Sequence, residues 1–187
     1  MYFWKNCLEK AFKNYENWKQ NSKISYSNEW IDVFEYKSYY SVEHKDRQVM
    51  ILPIVDGSKI LLVKAKRKLL GTSIWELPAG GVKGKESYSS AAAREFFEET
   101  GIGIKDKSRF IQQSSLALAS NRMPMFPNIY IININGNEYE NKLPSDHEIE
   151  KVNIFEFSVI KEMIKKSEIF SSLSISVIMR YLLTINI

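Results

Sequence analysis

One stretch constrains this chain more than any other: Gly80-Gly-Val-Lys-Gly-Lys-Glu86-Ser-Tyr-Ser-Ser-Ala-Ala-Ala-Arg94-Glu95-Phe-Phe-Glu98-Glu99-Thr-Gly101-Ile102. Ala91, Ala92 and Ala93 favour a helix from about Ser87 to Thr100, and Gly101 stands where a left-handed glycine ends one. On that helix Glu95, Glu98 and Glu99 fall at i, i+3 and i+4. At about 3.6 residues per turn, their carboxylates project from one face. Three carboxylates so close raise one another's pKa unless positive charge sits among them. Arg94 offsets part of that charge or orients one carboxylate through a bidentate pair. Mg²⁺ is the natural occupant, a hard cation that prefers carboxylate oxygens and keeps waters and phosphates as its other ligands. Gly80-Gly81 lets backbone approach this face closely.

An isolated Glu-Glu on a helix usually belongs to a solvated surface. Here Gly80, Glu86, Arg94-Glu95-Phe96, Glu98-Glu99, Gly101 and Ile102 occur together. Multiplying ordinary residue frequencies over those positions gives a chance match on the order of 10⁻⁷ per chain.

Around this segment the pattern alternates between helix and strand. Trp4, Leu8, Phe12 and Tyr15 form a rough helical stripe over residues 4–20. Residues 30–43 mix aromatic and β-branched groups as strands do. Gln48–Val55 and Lys59–Lys64 are apolar runs joined through Asp56-Gly57, a hairpin signal. A basic loop from Lys64 to Lys68 leads to Trp75-Glu-Leu-Pro-Ala-Gly-Gly. Asn128–Asn135 reads as a strand ending at the turn Asn135-Gly136-Asn137, and Glu150–Phe157 as another. Ser158–Ser167 reads as a helix with Ser158 as its cap. The segment Ser171–Ile187 alternates at first like a strand, but its length and Met179-Arg-Tyr-Leu-Leu favour a helix. Strands on both sides of one central helix, with helices at the end, point to α+β or to an α/β/α sandwich.

With 187 residues, 44% of them hydrophobic, the chain can bury a full core. The balance of 26 basic against 22 acidic residues gives a net charge of only +4, without a dense Lys/Arg block. That argues against nucleic acid as a partner and for weak attraction of a small anion. One cysteine, Cys7, excludes an internal disulfide framework and fits a reducing, cytoplasmic setting, where it is expected as a small buried group. Residues 1–6 lack the apolar core of a leader. No run reaches the ~20 apolar residues of a membrane span; the tail from Ile169 comes nearest, broken by Arg180 and four serines. No membrane partner is expected.

The spacing Gly, five residues, Glu, seven residues, Arg-Glu-bulky, any, Glu-Glu, any, Gly-bulky resembles the Nudix box. Every charged and glycine position matches, and Phe96 replaces the usual aliphatic residue. The resemblance implies an α+β Nudix fold: an α/β/α sandwich with a mixed β-sheet and a loop–helix–loop metal site. It assigns Glu95, Glu98, Glu99 and the backbone carbonyl of Ala79 to Mg²⁺, with Mn²⁺ as a possible substitute. Glu86 and Arg94 become supports between loop and helix, and Arg94 joins the glutamates in the catalytic set.

The flanks Val42-Glu-His44, Val49-Met-Ile-Leu-Pro53, Ile60-Leu-Leu-Val63-Lys-Ala-Lys-Arg67 and Trp75-Glu76-Leu-Pro78-Ala79-Gly80 resemble the ADP-ribose pyrophosphatase branch over roughly residues 30–187. That branch places an arginine where Arg67 stands, to hold the diphosphate. It also carries a proline about 15 residues past the box; here positions 116–119 read Leu-Ala-Leu-Ala, so the substrate-facing loop Ala119–Pro127 is rebuilt. The resemblance implies residues 1–45 as a helix and strands contributing to a homodimer, and residues 46–187 as the hydrolase domain. A late-loop glutamate supplies the general base in this branch, which makes Glu148 the candidate and Glu150 the second. His44 is expected to pack or bond near a strand end, and His147 to be exposed.

The activity implied is Mg²⁺-dependent hydrolysis of the diphosphate in a nucleoside diphosphate linked to X, with ADP-ribose or another NDP-sugar foremost. Its products are a nucleoside monophosphate and a sugar phosphate. Alternatives are a GDP-sugar or dinucleotide-cofactor hydrolase, an RNA-decapping enzyme, or a nucleotide-binding regulator without catalysis. A regulator typically loses the box glutamates, all of which are present.

Overall fold

The computed structural model describes residues 3–187, with side chains from Cys7 onward. Trp4 in the expected helical stripe therefore lies outside the described side chains, as does the leader reading of residues 1–6. The described chain forms two compact units, Met1–Arg47 with Leu116–Phe126, and Gln48–Ser115 with Pro127–Ile187.

In the first unit, helix α1 (Phe3–Gln20) precedes an antiparallel sheet in the order β1 (Lys23–Ser27), β2 (Ile31–Tyr36), β3 (Tyr39–His44). The helix packs on β2 and β3 by mixed means. Tyr15 Oη lies 2.9 Å from Ser41 Oγ, Lys19 donates to Glu43 at 2.8 Å, and Trp18 meets Tyr36 edge to face. Residues 30–43, read as strand-like, form two strands, turned at Lys37 with a left-handed φ of 56°. Cys7 is exposed, not buried, because it lies more than two turns before Tyr15, Trp18 and Lys19, through which α1 meets β2 and β3. His44, the last residue of β3, is also exposed. Leu116–Phe126 joins this unit through Val42 N–H donating to Arg122 O and through Arg122 over the rings of Tyr39 and Tyr40.

The second unit is built on a seven-stranded mixed sheet. Its strands are β4 (Gln48–Val55), β5 (Lys59–Arg67), β6 (Thr72–Glu76), β7 (Ala79–Gly81), β8 (Ile111–Gln113), β9 (Asn128–Ile134) and β10 (Ile149–Glu156). The main order is β10-β5-β4-β9-β8, with β4 and β9 parallel and the other pairs antiparallel. Asp56 and Gly57 both take positive φ, 49° and 69°, in the three-residue turn Asp56-Gly57-Ser58, closed by Ser58 N–H donating to Val55 O at 3.2 Å. Beyond that turn β4 and β5 pair only at Ile54–Ile60 and Val55–Lys59, then splay apart. The gap is filled by the next stretch of chain: β6 pairs with β5, Pro78 O accepts from Ile51 N–H at 2.9 Å, and β7 pairs with β4. The splay thus delivers Ala79-Gly80-Gly81 beside the helix that follows.

That helix, α2 (Tyr88–Thr100), is capped by Ser87, whose hydroxyl accepts from Ser90 N–H, and ends on Gly101 at φ 74°. Its Ala91, Ala92 and Phe96 pack against Val49, Ile51, Val63 and Ile132 in one core layer. The alternate residues Leu52, Ile54, Leu62 and Ile129 are buried on the other face, with α4 (Phe157–Lys165) and α5 (Ser172–Thr184) supplying Ile160, Val177, Ile178 and Leu182. A strand buried on both faces reads as continuous apolar sequence, and β4 does. The fold is α+β, a mixed sheet between helices. Asn135-Gly136-Asn137, read as a turn, opens a short helix α3 (Gly136–Glu140) through a capping box of Asn135 and Glu138. Ser158 is not a cap, because the helix starts one residue earlier at Phe157, behind Glu156. Among the described residues, no helix is long and apolar enough to cross a membrane.

Candidate active site

Arg94 organises the loop–helix junction. Its Nη2 donates to Gly81 O at 2.7 Å and to Glu86 Oε1 at 2.6 Å, and its Nε reaches Glu86 Oε2 at 3.3 Å. Its Nη1 donates to Glu95 Oε1 at 2.7 Å and Glu98 Oε2 at 3.0 Å. A guanidinium does this because its planar fork supplies five donors in fixed directions. Glu86 is fixed from the other side by Lys83 N–H at 2.7 Å. The Arg94 fork holds the Glu86 carboxyl below the usual carboxylate range. Arg94 and Glu86 thus tie the β7–α2 loop to the helix.

Gly80 is required for close approach. A Cβ there would lie 2.1 Å from the carboxyl carbon of Glu95. The backbone of β7 therefore runs directly against the acidic face of α2. Ala79 N–H donates to Glu99 Oε2 at 3.0 Å. Loop and helix bring together Ala79, Glu95, Glu98, Glu99 and Arg94, with Lys83 Nζ 3.6 Å from Glu98.

The electrostatics of this face are uneven. Burial pushes the Glu99 carboxyl up to about 8, helped by the nearby charges of Glu95 and Asp146 and opposed by the Ala79 N–H and by Arg67. Burial also raises Glu95, against the lowering contact with Arg94. Charged carboxylates in such surroundings call for a cation. Among the described residues no three such side chains close on a common point, since Arg94 stands between Glu95 and Glu98 while Glu99 turns to Ala79 N–H. The donor chemistry nevertheless fits Mg²⁺: hard carboxylate oxygens, two of them on groups whose ionised forms burial penalises.

Arg67, at the end of β5, forms an ion pair with the buried carboxylate of Glu76. Its charge also reaches Glu99. Arg67 and Glu148 line the same groove of about 480 Å³, together with Leu69, Leu70 and Ile74. Glu148 is exposed; its backbone O accepts from Lys66 N–H at 2.9 Å, which ties the late loop to the strand that carries Arg67. The second candidate base, Glu150, is turned away to Lys64 at 3.3 Å and to Ser73. His147 is exposed and pairs with Asp146.

Glu76, Asp146 and Lys83 were given no role by sequence. Glu76 emerges because β6 fills the splay and sets it beside β5. Asp146 emerges because its backbone N–H donates to Glu98 O at 2.8 Å, which folds the late loop over the end of α2. Gly81, read from sequence as a point of close backbone approach, contributes the carbonyl that Arg94 meets. Only Lys83 carried a signal, lying inside the loop between Gly80 and Glu86.

Comparison with known proteins identifies the family and the fold. The family model of the NUDIX domain matches residues 44–172. An mRNA-decapping protein of African swine fever virus is 36% identical over 77 residues, 41% of this chain and 31% of the viral protein. An ADP-ribose pyrophosphatase of Bacillus subtilis is 42% identical over 57 residues, 30% of this chain and 31% of that enzyme. The matched segments thus span under a third of either relative. A crystal structure of an ADP compounds hydrolase superposes with a TM-score of 0.63 at 18% identity, covering 87% of this chain and 91% of that one. At that identity the likeness speaks for the fold.

Proposed function

Because the chain belongs to the Nudix family, we propose that it is a diphosphatase that hydrolyses a nucleoside diphosphate linked to X, with ADP-ribose or another NDP-sugar as substrate. The observation that carries this reading is the joining of the Glu95–Glu99 face to the Ala79–Gly81 backbone through Arg94, next to a groove holding Arg67 and Glu148.

Glu95, Glu98, Glu99 and the Ala79 carbonyl would hold Mg²⁺, with Mn²⁺ as a substitute. The chemistry the ion supplies when bound is neutralisation of phosphoryl oxygens and acidification of a water. Arg67 binds the diphosphate and offsets charge that develops on it, oriented by Glu76. Glu148 accepts the proton of the attacking water. Addition of water across one P–O bond of the anhydride yields a nucleoside monophosphate and a sugar phosphate. Arg94 acts as a positioning residue.

The ADP-ribose assignment draws support from the Bacillus subtilis relative and from the sequence flanks around Arg67. A second reading, hydrolysis within an mRNA cap, is favoured by the match to the viral decapping protein. The reading of the first unit as part of a homodimer is supported by Ile24, Tyr26 and Trp30, all exposed on it; light scattering tests that. A cytoplasmic setting rests on the single cysteine.

A substrate panel decides the activity. ADP-ribose, a GDP-sugar, a dinucleotide cofactor and a capped RNA are incubated with Mg²⁺, and phosphate is read after coupling to a phosphatase. The highest kcat/KM is expected on an ADP-sugar. Preference for capped RNA would transfer the assignment to decapping, and inactivity on all four would support a binding role without hydrolysis.

A further inference from the structure

Arg180, on α5, is unlike the arginines of the acidic face. Arg67, Arg94 and Arg109 each hold a carboxylate. Among the described residues, no Asp or Glu lies within ion-pair distance of Arg180. Its one hydrogen bond is a long one, Nη1 to Ser115 O at 3.5 Å. The side chain is half-buried, and burial alone lowers its pKa, with no neighbouring charge contributing. A guanidinium in such surroundings has lost part of its hydration without gaining a counter-charge.

It borders a cavity of about 220 Å³. At about 30 Å³ per water, that is room for roughly seven waters. Ile131 and Tyr181, both partly exposed, give it an apolar lining beside Arg180, backed by the buried Leu52, Ile129 and Val177. Gln113, Ser114 and Thr184 add neutral polar groups. Leu52 and Ile129 belong to the sheet face that meets α4 and α5, opposite the layer that packs on α2. The cavity is therefore separate from the glutamate face and its groove.

We infer that this cavity is a binding site for a small monocarboxylate with an apolar body, its carboxylate paired with Arg180 and its body against Ile131 and Tyr181, over the buried Leu52, Ile129 and Val177. The lining selects the class. One cation balances one negative charge, so a phosphate dianion would bring uncompensated charge against apolar walls. A neutral molecule would leave the guanidinium without a counter-charge. A planar carboxylate suits the arginine fork by two parallel hydrogen bonds. This inference goes beyond the proposed hydrolytic activity and does not depend on it.

The test uses the whole chain and hexanoate as probe, with hexanol and inorganic phosphate as controls. Methyl NMR signals of Leu52, Ile129 and Val177 are followed during titration. Hexanoate is expected to shift all three with saturation, hexanol to bind at least tenfold more weakly, and phosphate to leave them in place. Arg180→Leu keeps an apolar stem and should weaken hexanoate at least tenfold, to the level of hexanol. Val177→Phe fills the cavity and should abolish the response. If Arg180→Leu fails to fold, the wild-type comparison and Val177→Phe still decide the matter. Absence of saturable shifts with hexanoate in the wild-type chain would overturn the inference. So would hexanol binding as tightly as hexanoate, or phosphate shifting the same methyls.

Discussion

The carboxyl carbon of Glu95 lies 2.1 Å from the point a Cβ on Gly80 would occupy. Glycine at 80 is thus a condition for backbone and carboxylate to meet. Gly80→Ala should displace the end of a flexible side chain, with little harm to the core. A shift of about 1 Å at a reacting centre costs on the order of 10²-fold in rate. Diphosphate hydrolysis should fall by roughly that factor, while thermal stability changes by about 1 kcal/mol or less. Kinetics and melting on the same preparation check both halves.

Arg94 touches Gly81, Glu86, Glu95 and Glu98 at once. A lysine keeps the charge but has no planar fork to span these partners. Arg94→Lys should therefore lower activity about 10–100-fold, as loss of groups that orient metal ligands does. It should also destabilise the fold by roughly 1.5–3 kcal/mol, the range for hydrogen bonds to charged groups. Urea unfolding measures the second effect. A variant with unaltered stability would show that Arg94 does not brace the loop.

The raised carboxyl of Glu99 makes the metal-free protein sensitive to pH. In the folded state it titrates at about 8, in the unfolded chain near 4.3. Between those values the folded state keeps a proton that the unfolded state has lost, so stability falls as pH rises. The contribution is fully present below about pH 4.3 and gone above about 8. With EDTA, the melting temperature should drop from pH 5 to pH 8, and the slope should flatten in Glu99→Gln. Because a cation competes with that proton, Mg²⁺ should raise the melting temperature more at pH 8 than at pH 5. The opposite order would contradict the burial of Glu99.

Much of this site was legible because its signals are local. Ser87 caps α2, the alanines carry it, Gly101 ends it, and the spacing of Glu95, Glu98 and Glu99 fixes their common face. Asp56-Gly57 likewise announced its hairpin. What escaped depends on tertiary placement. β1 is exposed along its whole length, so no alternation marks it. Lys37 takes the left-handed turn conformation that sequence assigns first to glycine or asparagine. β6 and β7 form strands only because β4 and β5 splay, and the Arg67–Glu76 pair arises from that insertion. Leu116–Phe126 carries no boundary signal, yet it belongs with the first unit. The box spacing marked Glu95, Glu98 and Glu99 as one face; it could not report that Arg94 stands between two of them.

Gly101 gives a stability test independent of activity. Its φ is 74°, and a Cβ there would sit 1.8 Å from Leu143 O, a rigid backbone atom. Leu143 N–H also donates to Gly101 O at 2.9 Å, which holds the late loop to the helix end. Gly101→Ala should destabilise the chain by roughly 2–4 kcal/mol, combining left-handed strain with a backbone clash. Chemical denaturation reads this directly, and a change below about 1 kcal/mol would contradict the contact.

The central claim is that the glutamate face of α2 drives diphosphate hydrolysis. Its most direct test is turnover of ADP-ribose with Mg²⁺ by the wild-type chain and by Glu99→Gln, following release of AMP. The account predicts steady turnover by the wild type and a fall of orders of magnitude in the variant, with the fold retained in circular dichroism. Near-wild-type turnover by a folded Glu99→Gln protein would contradict it.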